Sequence, residues 1–233
     1  AILSEPNGRY RSAPLQEMHE NFANMFAIAN PIDWEPTDQQ TMAALAAEAG
    51  MSAEAYCYDH MLGDGGKNLI LYPYTNYSYR RMDEVHDMLS HPSSIFGLGD
   101  GGAHCSIACD AGSTTLALAF WTRDRSNGPR LDLGQAVQMM TSSTAELYGL
   151  HDRGRIAPGY RADLNIIDYD ALELLLPEMV WDLPTGARRI MQRAKGYVAI
   201  FAGGVQTIAH DRLTGALPGR LLRGAGPAAQ AVA

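Results

Sequence analysis

The stretch from residue 93 to 110, SSIFGLGDGGAHCSIACD, sets a short apolar run against a turn loosened by Gly97, Gly99, Gly101 and Gly102, with Asp100 inside the turn. Residues 94–98 are apolar enough for a buried strand, and glycine lets the backbone turn sharply and approach a ligand closely. In parallel α/β folds the C-terminal ends of strands carry the chemistry, so a carboxylate there can hold a metal ion or take a proton from a hydrolytic water. A helix cap is the plainer use of the same residue. Gly97, Gly99 and Gly102 also spell G-x-G-x-x-G, with Asp124 at about the spacing of a ribose-binding acid. The nucleotide reading fails on charge, because Asp100 would stand among the N–H groups that a pyrophosphate needs. His104, Cys105 and Cys109 follow the turn. With no C-x-x-C and no evident fourth ligand, buried thiols are the simpler expectation than a structural zinc site.

Three more side chains qualify as substrate contacts. Arg123, in FWTRDR, offers a bidentate donor to a substrate carboxylate, with a salt bridge to Asp124 or Asp132 as the equally weighted alternative. Tyr74 and Asn76 follow the apolar run NLILYPY and can share a mouth with Asp100, although an aromatic residue at a strand end is more often packing.

The elements that must position these residues read as follows. Leu15, Met18, Phe22, Met25, Phe26 and Ala29 recur at helical spacing. Thr37 and Gln40 form a capping box for a helix that Gly50 ends, and Ser52 caps a second that Gly63 ends. Residues 68–74 and 94–98 are strands, joined by a helix over MDEVHDMLSHP. This β-α-β unit predicts parallel neighbours, with Tyr72 beside Phe96 and Asn76 and Asp100 at one edge. STTLALAFW is a helix or strand. Asp132 with Gln135, and Ser143 with Glu146, cap two helices ending near Met140 and Tyr148. Beyond Asp152 the pattern turns to short β-like runs, and GYVAIFAGGVQTIAH is a hairpin around Gly203 and Gly204. Residues 162–208 are therefore expected to be mainly β.

The ordered series GLGDGGAH, FWTRDR, MTSSTAELYGLHDRGRIAPGYRADLNIIDYD and TGALPGRLLRG resembles the C-terminal half of the N-acyl-D-amino-acid deacylases (D-aminoacylases) of the amidohydrolase superfamily, from about Pro31 to Gly224. The resemblance implies an α/β fold: residues 1–150 as the C-terminal part of a (β/α)8 TIM-like barrel, 151–224 as a small β-sandwich-type domain, and 225–233 as a loose tail. It implies a zinc-dependent hydrolase that removes the acyl group from small N-acyl-D-amino acids. Asp100 matches the aspartate after the eighth barrel strand, serving as metal ligand and proton acceptor, with His104 able to touch zinc or substrate. The other metal ligands belong upstream of Ala1, in a missing N-terminal part of the same protein, so the chain alone should be inactive. A hydantoinase- or dihydroorotase-type cyclic amidohydrolase and a non-catalytic binding or assembly module are the alternatives.

Composition narrows the partners. The 233 residues carry a net charge of -8, with 46% hydrophobic and 19% charged residues, and the arginines are scattered. That balance argues against a nucleic-acid partner, which needs a basic footprint. No apolar run reaches the ~20 residues of a membrane span. Three cysteines leave one unpaired whatever is bridged, which suits a reducing compartment, and the cytoplasm is the expected location. A homo-oligomer is compatible with all of this.

Overall fold

The computed structural model describes residues 18–97, 99, 101–102 and 104–221. Helix α1, Met42–Glu48, begins one turn later than the capping box suggests. Gln40 Oε1 accepts from Thr37 N at 2.7 Å around a 3₁₀ turn, Asp38–Gln40, and Thr41 Oγ1 then accepts from Ala44 N at 3.1 Å to cap α1. Helix α2, Ala53–Gly66, is capped by Ser52, whose Oγ accepts from Ala55 N at 3.3 Å. Its backbone leaves helical geometry at Gly63, where the sequence ends it. Helices α3, Asp83–Ser90, and α4, Ser113–Ala119, follow, and α4 runs directly into a π-helix, Phe120–Asp124. Asp132 caps α5, Leu133–Met140, its carboxylate accepting from Gln135 N at 2.9 Å. In α6, Ser142–Leu147, Ser143 lies inside the helix rather than capping it.

The first two strands are short and antiparallel. β1, Phe26–Ala27, pairs with β2, Ile70–Leu71. Residues 18–20 are helical, but from Phe26 on the helical spacing is overridden by packing. Phe26 is 1% exposed, and Met25 joins Met42 and Cys57 in a core that Phe22, Tyr56, Ile70 and Tyr72 pad out. The expected strand over 68–74 shrinks to two residues, and residues 94–97 form no strand. Tyr72 and Phe96 are therefore not laddered, and no parallel pair occurs among the described residues. The reason is physical: a short apolar run becomes a strand only where a neighbour satisfies its N–H and C=O groups. A second core gathers Phe120, Trp121 and Leu131, with Trp34, Met82, Val85 and Leu89 packed on it. Each side chain buried this fully contributes about 1.5–3 kcal/mol.

The region after residue 162 is β-rich, as its turn signals predict. β3, Leu164–Ile167, pairs with β6, Tyr197–Ala202, followed by β7, Val205–Ala209, and β8, Arg212–Leu213, in one antiparallel sheet of order β3-β6-β7-β8. Gly203 and Gly204, at φ 58° and 80°, make the two-residue turn between β6 and β7 that positive φ at both positions requires. β4, Glu173–Val180, and β5, Arg189–Lys195, form a separate hairpin between two paired strands, and its stems meet where Asp168 N donates to Gly196 O at 2.8 Å. This β region is tied to the preceding chain by polar contacts: Thr115 Oγ1 to Tyr197 Oη and Thr122 Oγ1 to Tyr169 Oη, both 2.7 Å, and Ile190 N to Cys105 O, 2.6 Å. The described residues are thus α/β in composition, with antiparallel sheets. The expected tail, 225–233, lies outside the described residues.

Candidate functional site

A groove of about 860 Å³ opens between the π-helix, the loop at residues 31–37 and the approach to β4 at residues 170–174. π-Helical turns recur at functional positions, and this one places Phe120, Arg123 and Asp124 on the groove wall. Arg123 is not held out for a ligand. Its guanidinium grips Asp124 in a fork, Nε to Oδ1 at 2.6 Å and Nη2 to Oδ2 at 2.9 Å, donates to Leu172 O at 2.7 Å and to Tyr169 O, and lies 5.3 Å from the Tyr169 ring centre. The hydrogen bonds and charge of Asp124 raise its pKa against the opposing effect of burial. The salt-bridge alternative to Asp124 is the one observed.

Asp100, on which the sequence argument centres, lies outside the described residues. Around it, Gly99 is packed so closely that a Cβ would sit 2.9 Å from Asp110 O and 2.9 Å from Ser113 Oγ. That close approach fits the glycine-loosened turn. His104 is exposed, sits at φ 44°, and opens a single turn in which its carbonyl accepts from Ile107 N and Ala108 N. Tyr74 is 70% exposed, and Asn76 occupies an exposed left-handed position at φ 64°. Of the described candidates only Arg123 lines the groove; Tyr74, Asn76 and His104 do not. Cys105 and Cys109 are free and half-buried, and burial together with Asp110 pushes the Cys109 thiol pKa up, which keeps it a thiol.

The strongest electrostatic feature escaped the sequence reading. Arg125 is fully buried, with its guanidinium 5.0 Å from the Trp121 ring centre. It forks onto Glu35, Nη2 to Oε1 at 2.9 Å and Nε to Oε2 at 3.1 Å, reaches Asp83 Oδ1 at 2.6 Å, and donates to Pro129 O at 2.7 Å and Asn127 O at 3.3 Å. Burial opposes the charge on Arg125, but the bonds and charges of Glu35 and Asp83 outweigh it and hold the pKa above its usual value. The hydrogen bond from Arg125 keeps the Asp83 carboxyl below the usual range. Glu35 Oε1 also accepts from Met82 N at 2.9 Å, so one cation pins three separate stretches of chain. Beside it, burial and the charges of Glu35 and Asp33 push the Tyr77 phenol well up, which keeps it a donor to Pro36 O at 2.8 Å.

Among the described residues, no three His, Cys, Asp or Glu side chains converge as a metal centre requires. These residues by themselves do not make a metal site. No described helix is long and apolar enough to cross a membrane.

Residues 18–185 match the model of the Amidohydrolase family, and the chain belongs to that family. It is 47% identical over 92 residues to an adenine deaminase of Lysinibacillus sphaericus (strain C3-41), covering 40% of this chain and 15% of that protein. It is 38% identical over 74 residues to an N-acyl-D-glutamate deacylase of Alcaligenes xylosoxydans xylosoxydans, covering 32% and 14%. A crystal structure of D-aminoacylase aligns with a TM-score of 0.43 at 21% identity, over 82% of this chain and 36% of that one. The chain therefore spans about a seventh of the length of these two curated relatives.

Proposed function

We propose that the chain is part of a metal-dependent amide hydrolase that removes the N-acyl group from N-acyl-D-amino acids, with zinc as the metal. The observation that carries this reading is the family match across residues 18–185, which includes the whole GLGDGGAH turn. The 38% local identity to an N-acyl-D-glutamate deacylase supports the choice of substrate. In this reading residues 1–150 are the end of a (β/α)8 barrel and 151–224 a small β-domain. Asp100 is the residue of this chain at the chemistry, either as a metal ligand or as the group that takes the water's proton and returns it to the leaving nitrogen. His104, four residues on, attends the same site, whereas Arg123 serves the fold. The remaining metal ligands belong to a preceding segment of the same protein, and the complete enzyme works in the cytoplasm. A second reading, hydrolytic removal of an amino group from a purine, is favoured by the 47% local identity to an adenine deaminase.

The test uses the complete protein, assayed on N-acetyl-D-amino acids, on adenine and on cyclic imides, with released amino acid and released ammonia followed separately. Asp100→Asn should lower kcat by about 10²- to 10⁴-fold on the acyl-amino acids if proton transfer is its role. Loss of bound zinc together with activity would make Asp100 chiefly a ligand. Ammonia from adenine without amino-acid release would replace the deacylase reading with the deaminase one. The present chain alone should hydrolyse none of these substrates. Activity on any of them from this chain alone would remove the need for ligands elsewhere.

A further inference from the structure

A different kind of chemistry is set up at the loop that closes over Arg125. Asn127 is followed by Gly128, its side chain is exposed, and its amide enters no hydrogen bond described for this loop. Glycine presents a backbone nitrogen with no Cβ to shield it, so the nitrogen can approach the preceding side-chain carbonyl. Here the glycine is also bracketed by charge: a Cβ built on Gly128 would fall 2.5 Å from Asp83 Oδ1 and 2.7 Å from Arg125 Nη2. The same guanidinium nitrogen donates to the main-chain carbonyl of Asn127 at 3.3 Å.

We infer that Asn127–Gly128 is a site of spontaneous modification, where Asn127 deamidates through a cyclic imide to isoaspartate and loosens the clamp on Arg125. In the first step Gly128 N bonds to Asn127 Cγ, the Cγ–Nδ2 bond breaks, and ammonia leaves with the proton that Gly128 N gave up. Water then opens the ring. Attack at Cγ gives aspartate; attack at the main-chain carbonyl gives isoaspartate, with the chain running through Cβ and Cγ. Arg125 polarises the main-chain carbonyl, which favours the second route. Asp83 Oδ1, 2.5 Å from where a Cβ on Gly128 would stand, offers a carboxylate against the residue whose nitrogen must lose its proton. The rerouted chain carries an extra backbone carbon between Cα of residue 127 and Gly128 N, which displaces the carbonyls of residues 127 and 129 relative to each other. Both accept from Arg125, at 3.3 and 2.7 Å, and they cannot both keep those positions.

The experiment incubates the full 233-residue chain at neutral and mildly alkaline pH, then maps peptides by mass spectrometry and assays isoaspartate. Conversion at Asn127 should run at least about tenfold faster than at Asn76, which precedes Tyr77, a barrier lower by about 1.4 kcal/mol. Isoaspartate should exceed aspartate at Asn127, and the aged protein should show a lower-melting fraction that grows in step with it. Asn127→Gln should abolish both the conversion and that fraction. Freshly purified Asn127→Asp, which adds the charge before any rerouting of the chain, should melt as one population near the parent. If Asn127 converts no faster than Asn76, the loop forbids ring closure and the inference is wrong. If isoaspartate forms without any lower-melting fraction, the proposed effect on the Arg125 clamp is overturned.

Discussion

Arg125→Met is the perturbation with the largest worked consequence. It removes both bonds to Glu35, the bond to Asp83 and the bonds to two loop carbonyls, and it leaves the Glu35 side chain, 5% exposed, without its countercharge. Methionine keeps much of the packing volume, so the loss is chiefly electrostatic. Breaking a buried ion pair by deleting one partner costs about 3–5 kcal/mol, set against a total stability of about 5–15 kcal/mol for a domain. With a urea slope of about 2 kcal/mol per molar, the midpoint should fall by about 2 M. The assay is urea unfolding followed by tryptophan fluorescence, since Trp121 lies on the guanidinium. The double variant Glu35→Met with Arg125→Met should cost less than Arg125→Met alone, because no buried charge is then left unpaired. A cost below about 1 kcal/mol for Arg125→Met, the range of an exposed pair, would refute the argument.

Three other outcomes follow from the coordinates. Gly196→Ala should lower stability by about 1–3 kcal/mol in a thermal melt, because Gly196 sits at φ 100° and its Cβ would meet Leu172 Cα at 2.7 Å. Gly97→Ala, where a Cβ meets nothing within 4 Å, should change stability by no more than about 0.5 kcal/mol in the same melt. Asp163 carries an acid dependence: partial burial pushes its pKa up, but Gly203 N–H and the charges of Arg161 and Arg153 outweigh that and hold it low. Its contribution is present above the unfolded aspartate pKa of about 3.9 and is lost as pH falls through the lower folded value. Asp163→Asn should therefore flatten the acid limb of a stability–pH curve, and an unchanged limb would count against this pairing.

Local signals were read well where they are self-contained. Ser52 and Asp132 cap the helices assigned to them, Gly63 ends α2, and Gly203 and Gly204 turn the β6–β7 hairpin. Misreadings arose where an element depends on distant partners. The apolar residues around Phe26 fit a helix by spacing, yet Met25 packs against Met42 and Phe26 pairs with Leu71, which makes a strand there. Residues 94–97 have strand-like composition but no ladder to join. Arg125 carried no local sign of its role because its partners, Glu35 and Asp83, are 90 and 42 positions away. Arg123 shows the reverse: its immediate neighbour Asp124 was legible as a partner and proved to be one.

The β4–β5 hairpin leaves and re-enters the sheet at adjacent points, Asp168 and Gly196, which makes it a module spliced between β3 and β6. Because closing a loop costs only about 0.6 kcal/mol more for each doubling of its length, the sheet is nearly indifferent to how far the excursion extends. The constraint comes from its flanks: Gln192 meets Cys109, Ile190 bonds Cys105, and Leu174 lies so close to Gly112 that a Cβ there would be 2.6 Å away. The tip beyond Val180 is free to lengthen or shorten, while the base is keyed to the segment that follows the turn at residues 101–102. Changes in the hairpin's register would thus be felt next to that turn, and changes in its reach would not.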